Sequence, residues 1–578
     1  MHPHNSVLRS AVRLALAGLL ALPSAAWGDE HSAKDNGLHA QRAVAQNGMV
    51  VAQEALAARV GANILQKGGN AVDAAVAVGF ALAVTYPRAG NIGGGGFMVI
   101  HRADGSNTTI DYREVAPQGI KAKSFLDASG NADPEKSRAS ALAIGVPGTV
   151  AGLALAEKKY GSGKFSLAEL IAPAIAMARD GIVVTDNTEE TVASVHARLA
   201  RWPASAKIFL KAGGAALDPG DRLVQSDLAG TLETIANEGP HAFYEGPVAQ
   251  KVADAVQAGG GVMTVGDLKN YQPIERAPVR GTYRGYDLVS MPPPSSGGVE
   301  LLEMLNILEG YDLAHDDEAQ TLHLMIEAMK RAYADRALFL GDPDKVQNPV
   351  ARLTSKGYAA DWRATIDPAH ATPASDIRAG GIVQPGGRNT THFSVVDRFG
   401  NAVSNTYTLN FSYGVGLVAE GTGIVLNNEL DDFAAKPDTP NAYGLTGAEA
   451  NEPGPGKRPL SSMTPTIVLR DGKPFLITGS PGGSRIITTV LQVIVNVVDR
   501  GMDIAEAVSA PRVHDQWMPD QVYAEPGISE DLIAALQARG DKVVPQRPFT
   551  SANSIMVTPD AFVGAADPRS PGALAVGF

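Results

Sequence analysis

The sequence predicts an α+β layered fold, and two observations carry that reading. Strand-like segments come as antiparallel hairpins around short turns, mixed with helices, and do not alternate singly with helices in βαβ order as a doubly wound parallel sheet requires. In addition, no Pro- or Ser-rich linker divides the chain after its first stretch, although 578 residues would by length alone suggest several domains.

The elements follow in order. Residues 53–66 carry apolar side chains at helical spacing and end in Lys67-Gly68-Gly69, a helix stop. Asn70 is placed to cap a second helix over 71–84, whose Ala and Val residues suit close packing on a sheet even with Asp73 inside. The run Gly93 to Gly96 is assigned to packing or loop freedom. It leads into strands at 97–101 and 108–113, joined by the turn Ala103-Asp104-Gly105. Further helices are expected at 167–179, 298–308 and 321–338. The last third turns to strands at 391–396 and 402–409 around Arg398-Phe399-Gly400-Asn401, then at 466–469 and 475–478. The run Gly479-Ser480-Pro481-Gly482-Gly483-Ser484-Arg485 follows, and then an apolar helix over 486–498. The Pro/Gly-rich stretch 451–459 reads as a loop.

Composition narrows the function classes. There is no cysteine, which removes disulfides, thiolate nucleophiles and cysteine-ligated zinc; a chain this long buries enough core without cross-links. The formal net charge is −12 and no basic run occurs, which argues against nucleic acid as a partner. Arg9 and Arg13 precede the apolar run 14–22, then Pro23 and small residues. This is the pattern of a secretory signal peptide over residues 1–28, with Ala26 and Gly28 at the −3 and −1 positions and a mature start near Asp29. The run is too short for a membrane anchor, which needs about 20 apolar residues. Export to the periplasm or the medium is therefore expected.

Three features bear on chemistry. In the hairpin centred near Phe399, Thr390 and Thr408 are equidistant from the turn and so face each other on one side of the ladder. The glycine loop at Gly482 and Gly483, between a strand and a helix N-terminus, reads either as a tight connection or as a pair of backbone donors for an oxyanion. It lacks the Gly-Lys-Ser/Thr of a phosphate loop. Polar clusters at Asn427-Asn428-Glu429-Leu430-Asp431-Asp432 and Ser461-Ser462 read either as solvated turns or as a grip on an ammonium group. His323, His392 and His514 lack paired metal-ligand spacing, and no metal is expected.

The segment Thr390-Thr391-His392-Phe393-Ser394-Val395-Val396-Asp397 resembles the start of the small subunit of γ-glutamyltransferases, in the N-terminal nucleophile hydrolase superfamily. Asn427 to Phe433, Lys457-Arg458-Pro459-Leu460-Ser461-Ser462-Met463 and Gly479 to Arg485 share the likeness, as do Gly93 to Phe97 and Asp111-Tyr112-Arg113-Glu114 upstream. The resemblance spans the mature chain in order. It implies a four-layer αββα sandwich and self-cleavage between Asn389 and Thr390, giving a large subunit (29–389) and a small catalytic subunit (390–578) that stay paired. It also implies a γ-glutamyl donor such as glutathione, an amine or water as acceptor, and no cofactor.

By the same resemblance Thr390 is the nucleophile, its freed α-amine the base, and Thr408 its orienting partner. Gly482 and Gly483 form the oxyanion hole. Arg113, with Ser461 and Ser462, takes the donor's α-carboxylate; Asn410, Glu429 and Asp432 take its α-ammonium. Residues 437–448, with Tyr443, resemble a lid. His392 is treated as structural. Two positions depart from some relatives: Asn389 varies within the family, and Glu429 is Gln in some bacterial members. Glutaryl-7-aminocephalosporanic acid acylases share the fold and the processing, and an inactive homologue is the remaining alternative.

Overall fold

Strands Thr391–Asp397 and Ala402–Thr408 form the predicted hairpin, with Thr391 opposite Tyr407 and Val396 opposite Ala402. That register places Thr390, one residue ahead of its strand, against Thr408. The computed structural model describes residues 38–377, 389–548 and 550–578. The expected leader over 1–28 and the mature start near Asp29 lie outside the described residues.

The hairpin is the middle of a seven-stranded sheet. Its order is Leu574–Gly577, Gly48–Ala52, Thr391–Asp397, Ala402–Thr408, Gly95–His101, Asn107–Tyr112, Ile274–Arg276, with every pairing antiparallel. A second antiparallel sheet of seven runs Gln41–Ala45, Phe562–Ala566, Ser554–Val557, Lys473–Thr478, Thr466–Arg470, Tyr286–Ser290, Val279–Tyr283. Residues from before Asn389 and after Thr390 interleave in both sheets.

Strand alternation sorts side chains into three apolar cores. Phe393, Val395, Val403 and Tyr407 point out of the first sheet onto helices Ala55–Gln66, Ala71–Thr85 and Thr149–Tyr160. Leu288, Val468 and Leu476 point out of the second sheet onto helices Gly297–Leu308, Glu318–Phe339 and Arg485–Val498. Met49, Val51, Val99 and Val396 meet Val289, Ile467, Ile477 and Ile555 between the sheets. The order helix, sheet, sheet, helix is the αββα sandwich. Its inner layer is not uniformly apolar: Ser394 Oγ donates to the Asn553 carbonyl at 2.8 Å and Ser404 Oγ to that of Thr478 at 2.9 Å, tying sheet to sheet.

The helix predicted over 53–66 starts at Ala55, because Glu54 caps it through the amides of Leu56 and Ala57. Asn70 caps the next helix in a capping box with Asp73. Asp73 is fully buried yet satisfied, accepting from the amides of Asn70 at 2.9 Å and Ser162 at 3.1 Å. Elements that sequence patterning missed include helices Asp186–Ser194, Ser226–Glu238 and Gly246–Ala258 and strands such as Gly48–Ala52. The last is buried at every position, so it shows no alternation to detect.

Candidate active site

Thr390 stands at the head of a central strand, 6% exposed. It follows the same inward alternation as His392 and Ser394 and so faces the space between the sheets. Its Oγ1 lies 3.3 Å from Thr408 Oγ1 and in hydrogen-bond contact with the carbonyl oxygen of Asn389. Thr408 Oγ1 accepts the Asn410 amide at 2.8 Å. Thr408 Oγ1, held by that amide, faces Thr390 as an acceptor for its hydroxyl. Close packing holds this strand end: a Cβ on Gly94 would fall 2.1 Å from the Thr408 carbonyl, so the glycine run expected to serve packing does so here.

His392 is structural. Its Nδ1 pairs with Thr406 Oγ1 at 2.8 Å and its Nε2 with Ser394 Oγ at 3.1 Å, and burial pushes it down to about 3, so it stays neutral.

Thr390 lines two cavities. One, of about 20 Å³, is also lined by Arg113, Thr408, Asn410, Glu429, Asp432, Tyr443, Ser461, Ser462 and Gly483. The other is a cleft of about 1010 Å³ that includes Asn389 and Gly482. Ten of the residues singled out from the sequence thus converge on the small cavity, while Asn389 and Gly482 sit on the cleft side of Thr390. The small cavity has room for about one water.

Arg113 follows the strand Asn107–Tyr112 and is fully buried. Its Nη1 contacts Glu429, its Nη2 donates to Asp432 at 2.5 Å, and its Nε donates to the Pro459 carbonyl at 3.1 Å. Glu429 and Asp432 come from one 3-10 turn, Glu429–Asp432. Asp431, between them, turns away to Ser137 at 2.7 Å and Arg138 at 3.2 Å and accepts the Ala442 amide at 3.0 Å. It therefore ties down the 437–448 segment and does not face the cavity.

Glu114, which the residue pattern did not single out as a site residue, stands 3.8 Å from Arg113 with neither carboxylate oxygen hydrogen-bonded. Three buried carboxylates surround one guanidinium. Burial pushes Glu114 well above the ordinary carboxylate range, helped by the Glu429 charge; burial likewise raises Asp432, and it pushes Glu429 up to about 7. The cluster is short of positive charge, which is the electrostatic condition for receiving an ammonium group.

Ser462 Oγ accepts from Arg336 Nη2 at 3.3 Å, a guanidinium that also donates to Ser296 Oγ at 3.1 Å. Arg336 was missed as well: in the last turn of helix Glu318–Phe339, it reads as a solvated cation unless the fold is known. Ser461 is held by its amide, which donates to the Pro294 carbonyl at 2.8 Å.

Tyr443 closes the cavity. Its hydroxyl donates toward Asn410 Oδ1, 2.6 Å away, with the Asn410 carbonyl at 2.8 Å, and its ring lies on Gly483. Gly482 and Gly483 have φ of 132° and 59° just ahead of helix Arg485–Val498. Among the described residues neither amide donates to a backbone acceptor. Also among the described residues, no group of His, Asp and Glu is arranged to hold a metal, and no helix is long and apolar enough to cross a membrane.

An αββα sandwich with a hydroxyl residue at the head of a central strand, facing the inter-sheet space, defines the N-terminal nucleophile hydrolase class. Within it, the chain belongs to the Gamma-glutamyltranspeptidase family, whose profile matches residues 57–577. It is 50% identical over 537 residues to the glutathione hydrolase proenzyme of Escherichia coli, covering 92% of each chain. To the acylase ACY 1 proenzyme of a Pseudomonas strain it is 41% identical, covering 91% of this chain and 92% of that one. Among solved structures it matches the cephalosporin acylase of Bacillus halodurans with a TM-score of 0.81 at 27% identity, over 97% of this chain and 99% of that one.

Proposed function

We propose that this enzyme is a γ-glutamyltransferase and glutathione hydrolase that matures by cutting itself between Asn389 and Thr390. The observation that carries the reading is the position of Thr390, with its hydroxyl against the Asn389 carbonyl and between a charged cavity and an open cleft. In the cut, Thr390 Oγ1 bonds to the Asn389 carbonyl carbon and the C–N bond breaks. The hydroxyl proton passes to the nitrogen, which becomes the α-amine. Water then hydrolyses the ester and leaves a carboxylate on Asn389. Because residues on either side of the cut interleave in both sheets, the large (29–389) and small (390–578) subunits stay together.

The freed α-amine, with an ordinary pKa of about 7.7–8.0, serves as general base at neutral pH. Thr390 Oγ1 attacks the γ-glutamyl carbonyl, and Gly482 and Gly483 amides stabilise the oxyanion. The donor's α-carboxylate is read by Arg113, Ser461 and Ser462; its α-ammonium by Asn410, Glu429 and Asp432. Since Arg113 now holds Glu429 and Asp432, and the cavity is little larger than a water, the donor's head group enters by displacing Tyr443 and taking over these ion pairs. The acyl-enzyme passes to water or to an amine. A leader over 1–28 directs the enzyme to the periplasm or the medium.

Intact masses and N-terminal sequences of the purified protein, with turnover of glutathione, test the reading. A small chain beginning Thr390-Thr391-His392 supports it, and a single uncut, inactive chain sinks it. The structural likeness to a cephalosporin acylase favours one second reading, hydrolysis of glutaryl-7-aminocephalosporanic acid. Exclusive use of that substrate over glutathione would decide for it. Arg113 and the carboxylates suited to an α-ammonium, a group that glutaryl lacks, weigh for the γ-glutamyl donor.

A further inference from the structure

Among its described lining residues, the cleft on the far side of Thr390 carries an excess of positive charge. Of the four arginines among its described lining residues, two are spoken for: Arg138 pairs with Asp431 at 3.2 Å, and Arg569 pairs with Glu525 at 2.7 Å and Asp567 at 3.1 Å. Arg88 and Arg198 form no ion pair with any described residue. Glu190 is the single carboxylate among the described lining residues.

Both free arginines are half-buried and held in place by groups that leave their charge uncompensated. Arg198 Nη1 donates to the carbonyls of Ser412 at 3.0 Å and Gly414 at 3.2 Å, and its guanidinium lies 5.5 Å from the Phe411 ring. Burial without a counter-charge lowers its pKa. Arg88 lies 5.4 Å from the Tyr86 ring, with a buried Nε that has no acceptor, and its Nη2 donates at 3.5 Å to the side chain of Asn389, the residue bonded to the nucleophile. Ser412 also contacts that Asn389 side chain. The two guanidinia thus flank one loop beside Thr390, on the side opposite the Arg113 cavity.

We infer that Arg88 and Arg198 form a subsite for the carboxylate of the amine that leaves, or later attacks, at Thr390, so that the enzyme favours amino acids and peptides with a free C-terminal carboxylate over uncharged amines. The inference rests on the γ-glutamyltransferase reading. With the acyl group in the small cavity, the amine has only the cleft to occupy. In transfer, the amine nitrogen bonds to the acyl carbon, the C–Oγ1 bond breaks, and the amine's proton returns to Thr390 Oγ1. A guanidinium offers paired N–H donors that match a carboxylate and have no comparable partner in a neutral amide.

The test measures kcat/KM for transfer from L-γ-glutamyl-p-nitroanilide to glycylglycine and to glycylglycinamide, at one pH and two salt concentrations. The expected preference for the acid is about 10-fold or more at low salt, shrinking at high salt. In Arg88→Gln/Arg198→Gln it falls to within about 2-fold. Equal use of acid and amide by the unaltered enzyme overturns the subsite without needing any variant to fold, and an unchanged ratio in a processed double variant overturns it too. No release of p-nitroaniline by the unaltered enzyme overturns the γ-glutamyl reading itself and the subsite with it, which separates the two failures.

Discussion

Thr408 Oγ1 lies 3.3 Å from Thr390 Oγ1 while accepting the Asn410 amide at 2.8 Å, so the hydroxyl that faces Thr390 is itself held in place. Thr408→Val keeps the shape and removes the hydroxyl. It leaves the Asn410 amide without its acceptor, a loss of about 1–3 kcal/mol in stability. We expect self-cleavage and turnover each to slow by about 10-fold, read from a time course of chain masses and from donor hydrolysis. Thr390→Ala, in contrast, should stay full-length and inactive; efficient cutting by that variant would remove Thr390 as the nucleophile.

Arg113 is the one guanidinium among Glu114, Glu429 and Asp432, all within its ion-pair range. Arg113→Ala strips the paired guanidinium from three buried carboxylates. The expected cost is about 3–5 kcal/mol of stability at neutral pH, smaller at acid pH where the carboxyls take up protons. Cutting survives and the donor KM rises steeply. Thermal unfolding at pH 5 and pH 8, with steady-state kinetics, checks both; an unchanged KM would count against Arg113 as the carboxylate anchor.

Glu429 is pushed up to about 7 by burial, against the pull of Arg113. Below that pH it is neutral and a poor partner for an ammonium group; above it, it is ionised. The donor KM should therefore fall by about 10-fold as pH rises through 7, and Glu429→Gln should flatten that change. In the proposed mechanism the α-amine of Thr390 titrates in kcat, so the two profiles should separate. For stability the direction is reversed. A carboxyl raised above its unfolded value of 4.5 contributes stability that is present below pH 4.5 and lost as pH rises through 7. The uncut Thr390→Ala protein should thus lose more stability between pH 5 and pH 8 than its Glu429→Gln derivative.

Much of this site was legible in the sequence because its parts are local. The hairpin register follows from counting back from Phe399, and helix Ala71–Thr85 announces itself through Asn70 and Asp73. The cavity residues at 429, 432, 461 and 462 lie in short polar runs that the family likeness points to. What escaped was set by distant chain. Arg336 reaches Ser462 across 126 residues, and Glu114 gains its importance only from the turn at Glu429–Asp432. Strands such as Gly48–Ala52, buried on both faces, carry no alternation that patterning can detect. The pairing of carboxylates with Arg113 was also not foreseen, since the resemblance assigns them to opposite ends of the donor.

Gly483 joins two requirements that a side chain cannot meet together. Its φ is +59°, and a Cβ there would stand 2.3 Å from Tyr443 Cδ1. Gly483→Ala therefore combines a left-handed backbone cost of about 1–2 kcal/mol with displacement of the Tyr443 ring. Adding Tyr443→Ala removes the clash and leaves the backbone cost, so the double variant should recover part of the stability lost by Gly483→Ala relative to Tyr443→Ala alone. The recovery is read as a coupling energy from denaturant unfolding of the four proteins. Strict additivity would mean that Tyr443 does not rest on Gly483.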